Sequence, residues 1–164
     1  MSGPKVLVVD DDRDTLALYT TALKLSGFDV LAAENGHQAL RLVDREAPDA
    51  VVTDLAMPGM DGVAFCRPLR ADPAARQVPV VAVSGQASPA LTSDARRAGC
   101  DEVLSKPCLP DQLVETLGRL IDAPHPGRSA GHHDAPPGRD HPPRQPSRRW
   151  PEVHSRRRPA GSAD

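Results

Sequence analysis

Over residues 1–122 the apolar positions alternate between short continuous runs and a helical period. Lys5–Val9 (KVLVV) is a β-branched run that ends in Asp10, Asp11 and Asp12. Leu16, Tyr19, Leu23 and Ser26 follow at helical spacing, and Gly27 stands where a helix C-terminus is expected. Asp29–Ala33 (DVLAA) predicts a second strand. Asn35-Gly36 then opens a helix with Ala39, Leu40, Val43 and Ala47 on one face, stopped by Pro48. Ala50–Thr53 (AVVT) predicts a third strand, leading into Asp54 and the loop Met57–Gly62 (MPGMDG). A helix follows through Val63, Phe65, Cys66 and Leu69. Val78–Val83 (VPVVAV) predicts strand four, and Ser88-Pro89 supplies the N-cap and first position of the next helix. Glu102–Ser105 (EVLS) is a weaker fifth strand, and Pro110 opens a last helix bearing Leu113, Val114, Leu117 and Leu120. Five βα units with near-continuous apolar strands predict an α/β fold, a parallel sheet covered by helices on both faces.

Charge divides the chain at the same point. Residues 1–122 hold 12 Lys and Arg against 18 Asp and Glu, whereas residues 123–164 hold 8 Arg against 4 acids. The second segment also carries 9 of the 18 prolines and 5 of the 6 histidines, with almost no aliphatic residues. Such a composition cannot bury enough surface to offset chain ordering, so 123–164 is expected to be a disordered, partly extended tail. The acidic balance of 1–122 argues against direct nucleic-acid binding by the folded part.

Other classes fall away on simple grounds. The apolar runs Val6–Val9 and Val78–Val83 are far shorter than the roughly 20 residues that span a bilayer. The opening MSGPK carries no secretory pattern, so a cytoplasmic location is expected. The three cysteines, Cys66, Cys100 and Cys108, are odd in number and lack C-x-x-C spacing. Reduced thiols are expected rather than a disulfide framework or a zinc site.

Parallel α/β sheets bind ligands beyond the carboxyl ends of their strands. Here those ends carry Asp10, Asp11 and Asp12 after strand one, Asp54 after strand three, Ser84 after strand four and Lys106 after strand five. Clustered carboxylates suit a hard, oxygen-preferring cation such as Mg²⁺. An Asp beside such a cation can act as a nucleophile and form an acyl phosphate. A lysine and a hydroxyl opposite would contact the remaining phosphoryl oxygens. Each residue also has a plainer reading. The acids can cap a helix, Lys106-Pro107 can be an ordinary turn, and Ser84 can be a satisfied strand-end hydroxyl. Their arrival at four separate strand ends is what the plainer readings leave unexplained.

VLVVDDD (Val6–Asp12), VVTDLAMPGMDG (Val51–Gly62), VVAVSG (Val80–Gly85) and LSKP (Leu104–Pro107) together resemble the receiver domain of two-component response regulators. The similarity covers 1–122 and has the character of a single-domain, chemotaxis-regulator-like response regulator. It implies a flavodoxin-like (βα)5 sheet in the order 2-1-3-4-5. It further implies that Asp54 accepts a phosphoryl group from the phosphohistidine of a histidine kinase or phosphotransfer protein. Asp11 and Asp54 would bind Mg²⁺ directly, Asp10 through a water, and the Ala56 carbonyl would be a further ligand. Ser84 would be the switch hydroxyl, and Lys106 would pair with a phosphoryl oxygen. Asp12 stays an N-cap candidate. Output would pass by protein–protein contact or phosphorelay, with the α4–β5–α5 face open to dimerisation, and the only chemistry would be self-phosphorylation and self-dephosphorylation.

The chain departs from the family pattern at four places. Val103 stands where an aromatic residue is common, so an aromatic rotamer switch cannot operate there. Cys108 replaces a common Phe, and Ala56 removes a side chain two residues past the acceptor. Pro68 falls inside the third helix, where it is expected to kink it or cost about 3 kcal/mol. Two rival readings stand beside the first. A haloacid-dehalogenase-type phosphatase would want an Asp at position 56. A nucleic-acid-binding regulator would use Arg148-Arg149, Trp150 and Arg156–Arg158, with arginines on phosphates and the indole on a base.

Overall fold

A computed structural model of the chain describes residues 3–86 and 88–122. The expected tail, with its arginine runs and histidines, lies outside the described residues. Ten elements follow one another in strict βα alternation: β1 Lys5–Val9, α1 Arg13–Leu25, β2 Asp29–Ala33, α2 Gly36–Glu46, β3 Ala50–Asp54, α3 Gly62–Ala71, β4 Val80–Ser84, α4 Pro89–Ala98, β5 Glu102–Ser105 and α5 Pro110–Asp122. All strand pairs are parallel, and the sheet order is β2-β1-β3-β4-β5.

The period-two alternation of the strands sorts the core into two layers. Leu7, Val9, Val51, Val80 and Ala82 face one side, where they meet Leu40 and Val43 of α2, Phe65 and Leu69 of α3, and Ala95 of α4. Val6, Val8, Val52, Val81 and Val83 face the other, against Leu16 and Leu23 of α1 and Leu113 and Leu117 of α5. The three inner strands are buried along nearly their whole length, which is why they read as continuous apolar runs. β5 at the sheet edge is only half covered, which accounts for its weaker signal.

The helix ends follow local chemistry. Asn35, Asp61 and Ser88 each cap a helix by accepting from a backbone N–H three residues on, at 2.8, 2.8 and 3.1 Å. Gly99 ends α4 in the left-handed region at φ 112°, and Ala47 ends α2 there at φ 46°. β4 begins at Val80, two residues later than the apolar run suggests. Pro79 has no N–H to place in a ladder, and the Val78 N–H turns back to the Ala75 carbonyl at 3.0 Å. Helix α3 runs on through Pro68. The carbonyl left without its helical donor belongs to Ala64, an exposed residue.

Candidate functional site

β3 and β4 extend one residue beyond the apolar runs and take in Asp54 and Ser84 as their last residues. Asp10 follows β1 directly, with its N–H still on the Ala33 carbonyl of β2 at 3.1 Å. Because β1, β3 and β4 are adjacent and in parallel register, these ends fall at one edge of the sheet. Asp10, Asp54 and Ser84 are 2 %, 7 % and 1 % exposed, whereas Asp11 is exposed.

A shared local device fixes the three buried side chains. Asp10 Oδ1 accepts from the Asp12 N–H at 2.9 Å, Asp54 Oδ1 from the Ala56 N–H at 3.0 Å, and Ser84 Oγ from the Gln86 N–H at 3.1 Å. Each strand thus ends in a side-chain turn closed two residues downstream. In both aspartates the turn occupies Oδ1 and leaves Oδ2 facing Lys106. The Lys106 ammonium lies 3.2 Å from Asp54 Oδ2 and 3.4 Å from Asp10 Oδ2. It arrives there from the end of β5, where the Lys106 N–H holds the Ser84 carbonyl at 2.7 Å and the Lys106–Pro107 peptide is cis.

The electrostatics follow from burial and charge. Removal from water raises the Asp10 carboxyl above its ordinary pKa, against the Asp12 N–H and Lys106, which stabilise the anion. For Lys106, burial works downward, but the charges of Asp54 and Asp10 outweigh it and the ammonium is raised. One carboxylate oxygen from each of Asp10, Asp11 and Asp54 lies within 4.8 Å of the others. That all-oxygen donor set, with a buried acid short of compensating charge, fits a hard divalent cation of the Mg²⁺ type.

Every strand-end residue singled out from the sequence is therefore in this cluster or on its rim. Ala56 meets Asp54 through its amide. Asp12 sits at the N-cap of α1, but its carboxylate caps no backbone N–H and accepts instead from the Thr15 hydroxyl, which lowers its pKa. Gly62 escaped sequence reasoning. A Cβ there would stand 2.6 Å from the Asp54 carbonyl oxygen, so only glycine lets α3 start this close to the strand end. The departures are accommodated as packing: Val103 lies against the α2–α4 layer, and Cys108 is buried in the α1–α5 layer, its carbonyl accepting from the Tyr19 hydroxyl at 3.4 Å.

A doubly wound α/β domain with an acid–lysine cluster at the carboxyl ends of its strands is the class that fold and site define. The sequence model of the response regulator receiver domain matches residues 6–118, and the chain belongs to that family. Among its relatives, the transcriptional regulatory protein PrrA of Mycobacterium tuberculosis is 40 % identical over 121 residues, 74 % of this chain and 51 % of PrrA. The DNA-binding response regulator MtrA of Mycolicibacterium paratuberculosis is 37 % identical over 110 residues, 67 % of this chain and 48 % of MtrA. The chain thus spans about half the length of these relatives. Similar solved structures include the chemotaxis protein CheY4 of Vibrio cholerae, with TM-score 0.69 and 28 % identity over 71 % of this chain and 98 % of that one. Another is the receiver domain of the sensor histidine kinase PA1611 of Pseudomonas aeruginosa PAO1, with magnesium in its active-site cleft. It shows TM-score 0.69 and 29 % identity over 74 % of this chain and 99 % of that domain. Among the described residues no helix is long and apolar enough to cross a membrane.

Proposed function

We propose that this receiver domain is a phosphorylation-dependent switch of a cytoplasmic two-component pathway, with Asp54 as the phosphoryl acceptor. The observation that carries the reading is the Lys106 ammonium held 3.2 Å from Asp54 and 3.4 Å from Asp10, beside three carboxylates that converge within 4.8 Å. In the step envisaged, the Asp54 carboxylate attacks the phosphorus of a phosphohistidine on a histidine kinase or phosphotransfer protein. The P–N bond breaks, imidazole leaves, and an acyl phosphate forms. Asp10, Asp11 and Asp54, with the Ala56 carbonyl, would hold Mg²⁺, whose part is to offset the charge between acceptor and phosphoryl group. Lys106 would pair with a phosphoryl oxygen and Ser84 would turn its hydroxyl to another. Neither acts on an outside substrate, so the product is a signal.

Phosphorylation would add charge at the sheet edge and shift a two-state equilibrium read on the α4–β5–α5 face by a downstream protein, a phosphorelay partner or a second copy. Val103 offers no ring to couple the two, so the signal would travel through Ser84 and the backbone link from Ser84 to Lys106. Incubation with Mg²⁺ and acetyl phosphate, followed by intact mass, tests the assignment. A single phosphoryl adduct is expected that disappears with chelator and in Asp54→Ala. An adduct that survives in folded Asp54→Ala would overturn the acceptor. Absence of any adduct with both acetyl phosphate and a kinase donor would overturn the switch.

A further inference from the structure

Two of the three cysteines meet outside the acidic cluster. Cys66 lies on α3 and Cys100 in the turn between α4 and β5, 34 residues apart in the chain, with their sulfurs 3.1 Å from each other. Both are free and buried, Cys66 completely and Cys100 with 5 % exposure. That separation is closer than the roughly 3.5–4.0 Å at which nonbonded carbons rest, so the two sulfurs meet directly with nothing between them.

The backbone on each side is anchored. The Cys100 N–H bonds to the Ala95 carbonyl at 3.0 Å, beside Gly99 in the left-handed region. Arg70, one helical turn after Cys66, reaches across to the same turn. Its Nε and Nη2 donate to the Gly99 carbonyl at 3.0 and 2.7 Å, and Nη2 also meets Asp101 Oδ2 at 3.0 Å. A disulfide needs the sulfurs at about 2.05 Å, about 1 Å closer than they stand. Cys100 keeps 5 % exposure and Cys66 none, so Cys100 is the thiol an oxidant reaches first and Cys66 the resolving thiol.

We propose that Cys66 and Cys100 form a two-electron redox pair, oxidised by a peroxide to an intramolecular disulfide that staples α3 to the α4–β5 turn. The Cys100 sulfur attacks one peroxide oxygen, the O–O bond breaks, and the departing hydroxide takes up a proton as water, leaving Cys100 as a sulfenic acid. The Cys66 sulfur then attacks the Cys100 sulfur, the S–O bond breaks, and hydroxide leaves with the Cys66 proton as a second water. Two thiols lose two electrons and one hydrogen peroxide becomes two waters. None of this depends on the phosphoryl reading.

The full chain treated with a slight excess of hydrogen peroxide, then alkylated in denaturant, tests the pair. One alkyl group is expected instead of three, with the loss of two hydrogens and a cross-linked peptide joining Cys66 to Cys100. Dithiothreitol should restore all three sites, the unfolding midpoint of the oxidised protein should rise by several degrees, and Cys108→Ser should behave alike. In Cys66→Ser, oxidation should stop at a dimedone-reactive sulfenic acid on Cys100. Oxygen added without a bridge, a bridge through Cys108, or three reactive thiols after peroxide would each overturn the proposal. These readings come from the unmodified chain, so they decide it even where Cys66→Ser fails to fold.

Discussion

Asp10 carries a charge that its surroundings resist. It is 2 % exposed, and burial raises its carboxyl despite Lys106 and the Asp12 N–H. A carboxyl raised on folding stabilises the native state while protonated, below its unfolded value near 3.8, and forfeits that contribution as pH climbs through the folded value. Asp10→Asn in chelator should therefore melt a few degrees above the parent at neutral pH, with the gap closing as pH falls through the raised folded value towards about 3.8. The same substitution should abolish the rise in melting temperature that Mg²⁺ gives the parent, since a cation bound only to the native state stabilises it by mass action. Calorimetry with and without Mg²⁺ checks both. At this scale the sequence was legible in kind but not in pose. The strand-end acids, the hydroxyl and the lysine stood in the run of residues. The turns that commit Oδ1 of Asp10 and Asp54 to backbone amides depend on backbone angles after each strand, for which an Asp-Asp or Asp-Leu pair gives no distinctive signal.

At the scale of elements, apolar period located all ten, and most errors were at ends. Strand ends drifted where the apolar signal and the hydrogen-bond ladder diverge, as at Pro79, and where polar residues complete a strand, as at Asp54 and Ser84. Pro68 is the element-level conflict. It sits in α3 beyond the first turn, with the orphaned Ala64 carbonyl on an exposed residue, so water can satisfy what the helix cannot. Pro68→Ala restores the missing donor and should stabilise the protein by about 1–3 kcal/mol in urea unfolding, with the midpoint moving and the slope unchanged. A loss of stability would mean that the ring itself packs usefully in α3.

Across the whole molecule, the sheet separates two apolar layers that share strands but not side chains. Val43→Ala removes methyls beneath α2 and Val81→Ala removes them on the opposite face, each at about 1–3 kcal/mol. The double variant should equal the sum to within about 0.5 kcal/mol, and a larger deviation would show the layers coupled through the sheet. Strand order was the part least available from period alone. Alternation predicts a parallel sheet, but placing β1 between β2 and β3 came from the family resemblance. The Cys66–Cys100 meeting was hidden for a similar reason. No local spacing joins residues 34 apart, and only the packing of α3 beside α4 brings them together.

The ladder of partners at the sheet edge also has a consequence for protein synthesis. Lys106 stands 96 residues after Asp10, and it is the cation that the buried aspartates face. At a translation rate of about 5–20 residues per second, roughly 5–20 s separate the emergence of the first acid from that of its lysine. During that interval the growing chain holds the acids without the cation and without β5. A chain terminated before residue 106 therefore cannot assemble the acid–lysine cluster, however well its first strands have folded.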